Sequence, residues 1–236
     1  MGSGGEREGG GGHVGVRRAG RTPKVGRPAL VDRAAIVRAA VAVGFGRIGM
    51  TSVADRLGIK HSTLYRYFPT RDALITAAVD AAVTGAEWPR PAGGWRELLR
   101  AQAWAAFRLL ESHPGLAAHI VSLRVDSDAY GDIAHRVVTA LLDRGFTAED
   151  AILAHDLVHE QVLMFFLAGG RDEGAPTTPE RARLLRRDML PEALPRVDPR
   201  LRQALTDVVT GDPRDWFARK LDVLLAGLAP LSGPAE

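Results

Sequence analysis

Apolar residues recur at helical spacing along most of the chain, and no stretch of strict alternation suggests a strand. Ile36, Val37, Ala40 and Val41 make one stripe, opened by Asp32 as N-cap and closed by Gly44. Phe45 and Ile48 are expected to plug a core beneath the following helices. Val53, Ala54 and Leu57 form a short second stripe that stops at Gly58. Leu64 and Phe68 are four apart on a polar segment, which predicts a third short helix over Ser62–Phe68. After Thr70 as N-cap, Leu74, Ile75, Ala78, Val79 and Ala82 predict a fourth helix that ends by Gly85 and Pro89.

The pattern lengthens beyond this point. Trp95, Leu98, Leu99, Gln102, Ala106, Leu109 and Leu110 share one side of a long helix that ends at His113-Pro114. Shorter patterns cover Leu116–Leu123 and Asp128–Arg144. Thr147 to Asp150 resembles a capping box with Asp in place of Glu, and opens a helix to about Ala168 that is apolar on more than one face. Such a helix must be covered all round, which in a small domain suggests a partner subunit. Arg171 to Pro199 reads as loop-rich, with a short helical middle carrying Arg181, Arg183, Arg186 and Arg187 as a solvated face. Asp212-Pro213 starts a last helix with Phe217, Leu221, Leu224, Leu225 and Leu228 inward.

The expected fold class is therefore all-α. Residues 1–27 are read as a disordered Gly/Arg-rich tail, 28–85 as a helical domain holding a helix-turn-helix, 86–230 as a second helical domain, and 231–236 as a tail. Composition adds little to 236 residues that are 46% hydrophobic and 25% charged. Without cysteine, disulfides and thiolate metal sites are excluded. The longest apolar run, Val162 to Ala168, is too short to span a bilayer, so no membrane partner and a cytoplasmic location are expected.

Charge does change the picture. Met1 to Thr84 carries 13 Lys and Arg against 6 Asp and Glu, a surplus of +7, and the remainder carries 18 against 22, or −4. A basic front half fits a polyanion partner. Lys60, His61, Ser62, Thr63, Tyr65, Arg66 and Tyr67 remain on the polar side of the third helix, all able to hydrogen-bond in a major groove. Lys24 and Arg27 belong to a basic arm that either enters an adjacent minor groove or is merely a solvated tail.

Val53-Ala54-Asp55-Arg56-Leu57-Gly58-Ile59, Thr63-Leu64-Tyr65-Arg66-Tyr67-Phe68 and Arg71-Asp72-Ala73-Leu74 together resemble the TetR family of tetracycline-repressor-like transcriptional regulators. The likeness covers about Pro28 to Val83. It implies a homodimeric repressor on a palindromic double-stranded DNA operator, released by an unknown small-molecule ligand in the second domain. On this resemblance Lys60, His61, Ser62, Thr63 and Tyr65 face bases or nearby phosphates, Tyr67 and Arg71 hold the backbone, and Arg66 reaches either. Gly49 stands where such proteins often have Ser or Thr, which leaves Thr51 or Ser52 as candidates for that phosphate contact. The helices from Thr147 and Asp212 would pair across the dimer.

Chemistry elsewhere is sparse. His155 and His159 lie one helical turn apart, with Glu160 next to the second, a spacing that can hold zinc. Asp156 stands where a zinc hydrolase has its Glu, and no third ligand is identifiable, so the pair is read as lining a ligand cavity or the dimer seam. Trp104, Phe107 and Met164 are further candidates for an apolar pocket, against a plain core role. No metal, cofactor or catalytic group is expected. Two rivals remain: a metal-dependent hydrolase using His155, His159 and Glu160, and a ligand-independent architectural DNA binder led by the basic tail.

Overall fold

Local capping signals decide where the helices begin. In the computed structural model, which describes residue 1 and residues 31–122, 127–167 and 179–232 (of 179–185 the backbone only), the first helix α1 is Arg33–Val43. Its N-cap Asp32 accepts from the Ala35 N–H at 2.6 Å. Helix α2, Met50–Leu57, ends in a left-handed Gly58 with φ of 64°. There Ile59 N–H donates to Ala54 O and Gly58 N–H to Asp55 O, the double bond of a Schellman cap. Helix α3 is His61–Leu64 and α4 is Arg71–Thr84, whose N-cap Thr70 accepts from Ala73 N–H at 3.0 Å.

The third helix is shorter than its sequence predicts. Regular α-helix stops at Leu64, and Tyr65 to Tyr67 continue as turns. The Leu64 carbonyl accepts from both Tyr67 N–H and Phe68 N–H at 2.9 Å, so the last turn tightens around one acceptor. Leu64 and Phe68 nonetheless both lie fully buried, as their spacing requires. They join Ile36, Val53, Leu74 and Phe45 in a core on which α1 packs against α4 and α2.

Seven more helices follow among the described residues: α5 Trp95–Ser112, α6 Leu116–Ser122, α7 Asp128–Leu142, α8 Ala148–Leu167, α9 Pro179–Ala193, α10 Pro199–Thr210 and α11 Pro213–Gly227. Among the described residues no strand occurs. At the start of α8, Thr147 Oγ1 accepts from Asp150 N–H at 3.1 Å and donates to the Asp150 carboxylate at 2.7 Å. The shorter Asp thus grips the cap hydroxyl instead of a backbone N–H.

Helix α8 is central, packed on by α5, α6, α7 and α11. Phe107, Phe217, Phe165, Phe166 and Trp104 interlock there, with Phe107 to Phe217 ring centroids 4.8 Å apart. Two ion pairs on the surface, Arg100–Asp222 and Arg214–Glu111, tie α11 to α5. Residues 179–210, read from sequence as loop-rich to Pro199 with a short helical middle around Arg181–Arg187 and unassigned beyond, hold a full α9 over that middle and a further α10, joined by a short 3-10 turn at Leu194–Arg196. Asp198 caps α10 with Pro199 at its first position, the same device that opens α11 at Asp212-Pro213.

Candidate functional site

The first site is the outer face of α2 and α3. Burying Leu64 and Phe68 forces the residues between and before them outward. Lys60, His61, Ser62, Tyr65, Arg66 and Arg71 are exposed, and Thr63 and Tyr67 are half-buried. The His61 ring meets the Tyr65 ring edge-on, with centroids 5.1 Å apart. Arg66 sits over the Tyr67 ring at 5.6 Å. Arg71 also has an inward duty, donating to the Ile48 carbonyl at 3.3 Å.

The two substitutes for the missing residue at Gly49 separate clearly. Ser52 Oγ lies 2.9 Å from the Arg47 carbonyl and 3.1 Å from that of Gly49, so its hydroxyl is turned into the chain. Thr51 is exposed on the same turn. Lys24 and Arg27 lie outside the described residues, and so does the 1–27 tail apart from Met1.

The second site is a cavity between α5, α6, α7 and α8, about 30 Å³ in volume. That is room for roughly two waters. Its walls are mainly Ala103, Leu110, Ile133, Val158 and Val162, with Trp88 at one side. Polar groups are few: Gln102, Tyr130, His155 and His159. Tyr130 Oη and His159 Nδ1 are hydrogen-bonded at 2.8 Å, and the two imidazoles stack with a 6° interplanar angle and centroids 5.8 Å apart. Burial holds His159 uncharged, its pKa lowered to about 4, and lowers His155 as well, partly offset by Asp156 beside it.

The cavity takes in two of the five residues that the sequence offers as pocket lining. His155 and His159 line it. Trp104 and Phe107 do not; they belong to the aromatic cluster, with Phe107 fully buried. Met164 is 48% exposed and lines instead a separate surface groove of about 450 Å³ with Trp216 and Val208. Tyr130 gave no sequence signal. Gln102 did: it is a polar residue at a core position of a helical stripe.

The metal-hydrolase alternative finds no support. Among the described residues no three His, Asp or Glu are grouped to hold an ion. His159 Nδ1 is engaged by Tyr130, and His155 Nδ1 faces Asp156 at 3.5 Å. Among the described residues, no helix is long and apolar enough to cross a membrane.

Residues 28–78 match the family model described as bacterial regulatory proteins, tetR family, and residues 89–231 match that described as tetracyclin repressor-like, C-terminal domain. The chain is 32% identical over 143 residues to the HTH-type transcriptional repressor DrrR1 of Streptomyces coeruleorubidus, covering 58% of this chain and 52% of that protein. It thus spans about half the length of that relative. It is 27% identical to the tetracycline repressor protein class C of Escherichia coli over 84% of this chain and 90% of that one. The solved structure of apo ActR from Streptomyces coelicolor superposes with a TM-score of 0.70 at 22% identity, covering 87% of this chain and all of the other. ActR has also been solved in complex with actinorhodin.

Proposed function

The chain belongs to the TetR family of bacterial regulatory proteins, and from that premise we propose that it is a homodimeric transcriptional repressor that leaves its operator when a small molecule occupies the α5–α8 cavity. Each subunit sets α3 into a major groove. Lys60, His61, Ser62, Thr63 and Tyr65 meet bases or adjacent phosphates. Thr51, Tyr67 and Arg71 fix register on the backbone, and Arg66 reaches whichever lies nearer.

The observation that carries this reading is the outward row Lys60, His61, Ser62 and Tyr65 on an element whose Leu64 and Phe68 are wholly buried. A row anchored from behind in this way has little freedom to misplace its polar atoms, which is what discrimination between base pairs demands.

Release requires that the ligand favour one arrangement of the molecule over another. Two hydrogen-bonded links connect the cavity walls to the front of the molecule. Ile120 lines the cavity, and its neighbour His119 holds the Phe45 carbonyl ahead of α2. Tyr130 lines it too, and its own N–H binds Ser127 Oγ, which donates to Asp80 on α4. A cavity with room for two waters must widen to admit a ligand, and widening moves these walls.

Selection of bound duplexes from a random pool tests the proposal. An inverted repeat is expected, its half-sites separated by about one DNA turn or a multiple of it. Recovery of no preferred sequence would instead identify an architectural binder.

A further inference from the structure

Gln102 is the buried polar side chain that the fold leaves without work. It is 9% exposed, sits on α5 among Leu98, Leu99, Ala103 and Leu109, and makes no hydrogen bond within the protein among the described residues. A buried amide left dry is costly, so such groups are nearly always met by water or a ligand. Among the described residues no side-chain nitrogen or oxygen sealed from solvent lacks a partner, so the Gln102 amide opens onto free space, and Gln102 lines the cavity.

The other polar side chains of the cavity complement it. Tyr130 and His159 form a pair whose proton can be placed either way. If the hydroxyl donates to Nδ1, the hydrogen resides on Nε2, which is then a donor. If Nδ1–H donates to the hydroxyl, Nε2 is an acceptor. The pair can therefore answer either polarity in a ligand at the cost of a tautomer change. Trp88 adds only an apolar face, because its indole N–H already donates to the Val83 carbonyl at 2.8 Å.

We propose that this cavity binds an uncharged, mainly apolar ring compound through a hydroxyl or carbonyl group that hydrogen-bonds to the Gln102 amide and to the Tyr130–His159 pair. The amide supplies both donors and an acceptor, the pair supplies either, and the walls supply apolar contact. All these groups are neutral, so they reward a dipole and not an ion. The depressed pKa of His159 agrees, since the same surroundings that reject a proton on the ring would reject an ionised ligand. The inference rests on the ligand-released reading for its biological sense, though not for the binding itself.

The test uses the full chain and matched two-ring probes: 1-naphthol, naphthalene, and 1-naphthoate as the anionic counterpart. Binding is followed by calorimetry and by quenching of tryptophan emission at pH 7.5. Naphthol is expected to bind more tightly than naphthalene, and naphthoate most weakly. Gln102→Leu should weaken naphthol by about tenfold, one buried hydrogen bond, while leaving naphthalene unchanged or tighter. Tyr130→Phe should act in the same direction, and covers the case in which Gln102→Leu melts early. Tighter binding of naphthoate than naphthol, equal losses for naphthol and naphthalene in both variants, or no binding of any probe at millimolar concentration would overturn the assignment. Operator binding is measured on the same samples. Naphthol that binds without releasing operator would sink the regulatory reading and leave the site standing; operator binding with no probe bound would do the reverse.

Discussion

The imidazole of His119 donates its Nε2 hydrogen to the backbone carbonyl of Phe45, 2.9 Å away and 74 residues earlier. A carbonyl only accepts, so the proton is fixed on Nε2. The bond joins α6, which lines the cavity through Ile120, to the turn that delivers α2. His119→Leu should keep the cavity's affinity for 1-naphthol within about twofold yet reduce the fold by which the probe lowers operator affinity. Coupling between sites is commonly about 1–3 kcal/mol, so losing one of two links should be measurable in DNA titrations with and without probe. Unchanged coupling would show that α6 does not carry the signal this way.

Gly115 makes the same junction sterically tight. It has φ of +91°, and a Cβ placed on it would lie 2.7 Å from Gly46 N and 3.0 Å from the Phe45 carbonyl carbon. Both neighbours are backbone, so neither can step aside as a side chain would. Gly115→Ala should cost about 2 kcal/mol or more, the left-handed strain and the clash acting together. Urea denaturation measures it. A cost under about half a kcal/mol would mean that the two turns part easily, and would weaken the case that movement passes through them.

The helices that the chain shows at first reading are those whose ends are set locally. Asp32, Thr70 and Asp212 cap as their positions predict, and Gly58 stops α2 where only a left-handed residue fits easily. Helix α10 escaped because its one buried apolar residue, Val209, leaves no stripe to see; its Asp198-Pro199 start was as plain as Asp212-Pro213. The outward row on α3 was legible because Leu64 and Phe68 fix its phase. The roles of Trp104 and Phe107 were not, since helical spacing is identical for a residue that meets a cavity and one that meets Phe217, 113 or 110 positions away. Only folding decides which partner arrives.

Two residues of the proposed nucleic-acid face should respond differently to substitution. Lys60 is an exposed charge at the start of α3 and Tyr65 is a 46% exposed ring held against His61. Lys60→Ala should weaken all duplexes alike and reduce the slope of log affinity against log salt by about one. Tyr65→Ala should leave that slope nearly intact and compress the preference for the selected sequence over random duplex by about 1–3 kcal/mol. Equal effects on both measures in both variants would contradict this division of roles.

Acid should loosen the second domain. His159 has its pKa lowered from 6.5 to about 4 by burial, with Tyr130 at its Nδ1 and His155 stacked on it. Between those two values the unfolded chain takes up the proton and the folded chain does not, so lowering the pH favours unfolding. Stability from this residue is complete above about pH 6.5 and falls by up to about 3 kcal/mol by pH 4. His155, also lowered, adds in the same direction, while Asp156 beside it opposes. Denaturation midpoints at steps from pH 7.5 to 4.5 should fall more steeply for the wild type than for His159→Gln. Parallel slopes would show that His159 titrates as an exposed imidazole does.

Helices α8 and α11 carry exposed apolar residues. Val223 is 70% exposed, and Ile152, Leu153, Met164 and Trp216 also face outward on these two helices. Single exposed apolar residues are ordinary, but five on two mutually packed helices form a surface that water does not favour. Charges on the same helices are complementary: Asp156 and Glu160 on α8 against Arg219 and Lys220 on α11. A two-fold axis would set the α8 of one subunit on the α11 of the other, matching acid to base twice over. Val223→Glu would then bury an unpaired carboxylate near partner Asp156 and Glu160. Light scattering should show twice the 25.3 kDa subunit mass for the wild type and a shift towards that single mass for the variant. Operator affinity should fall with it, because a lone subunit reads only one half-site. A variant that stays dimeric with full operator affinity would place the subunit contact on another face.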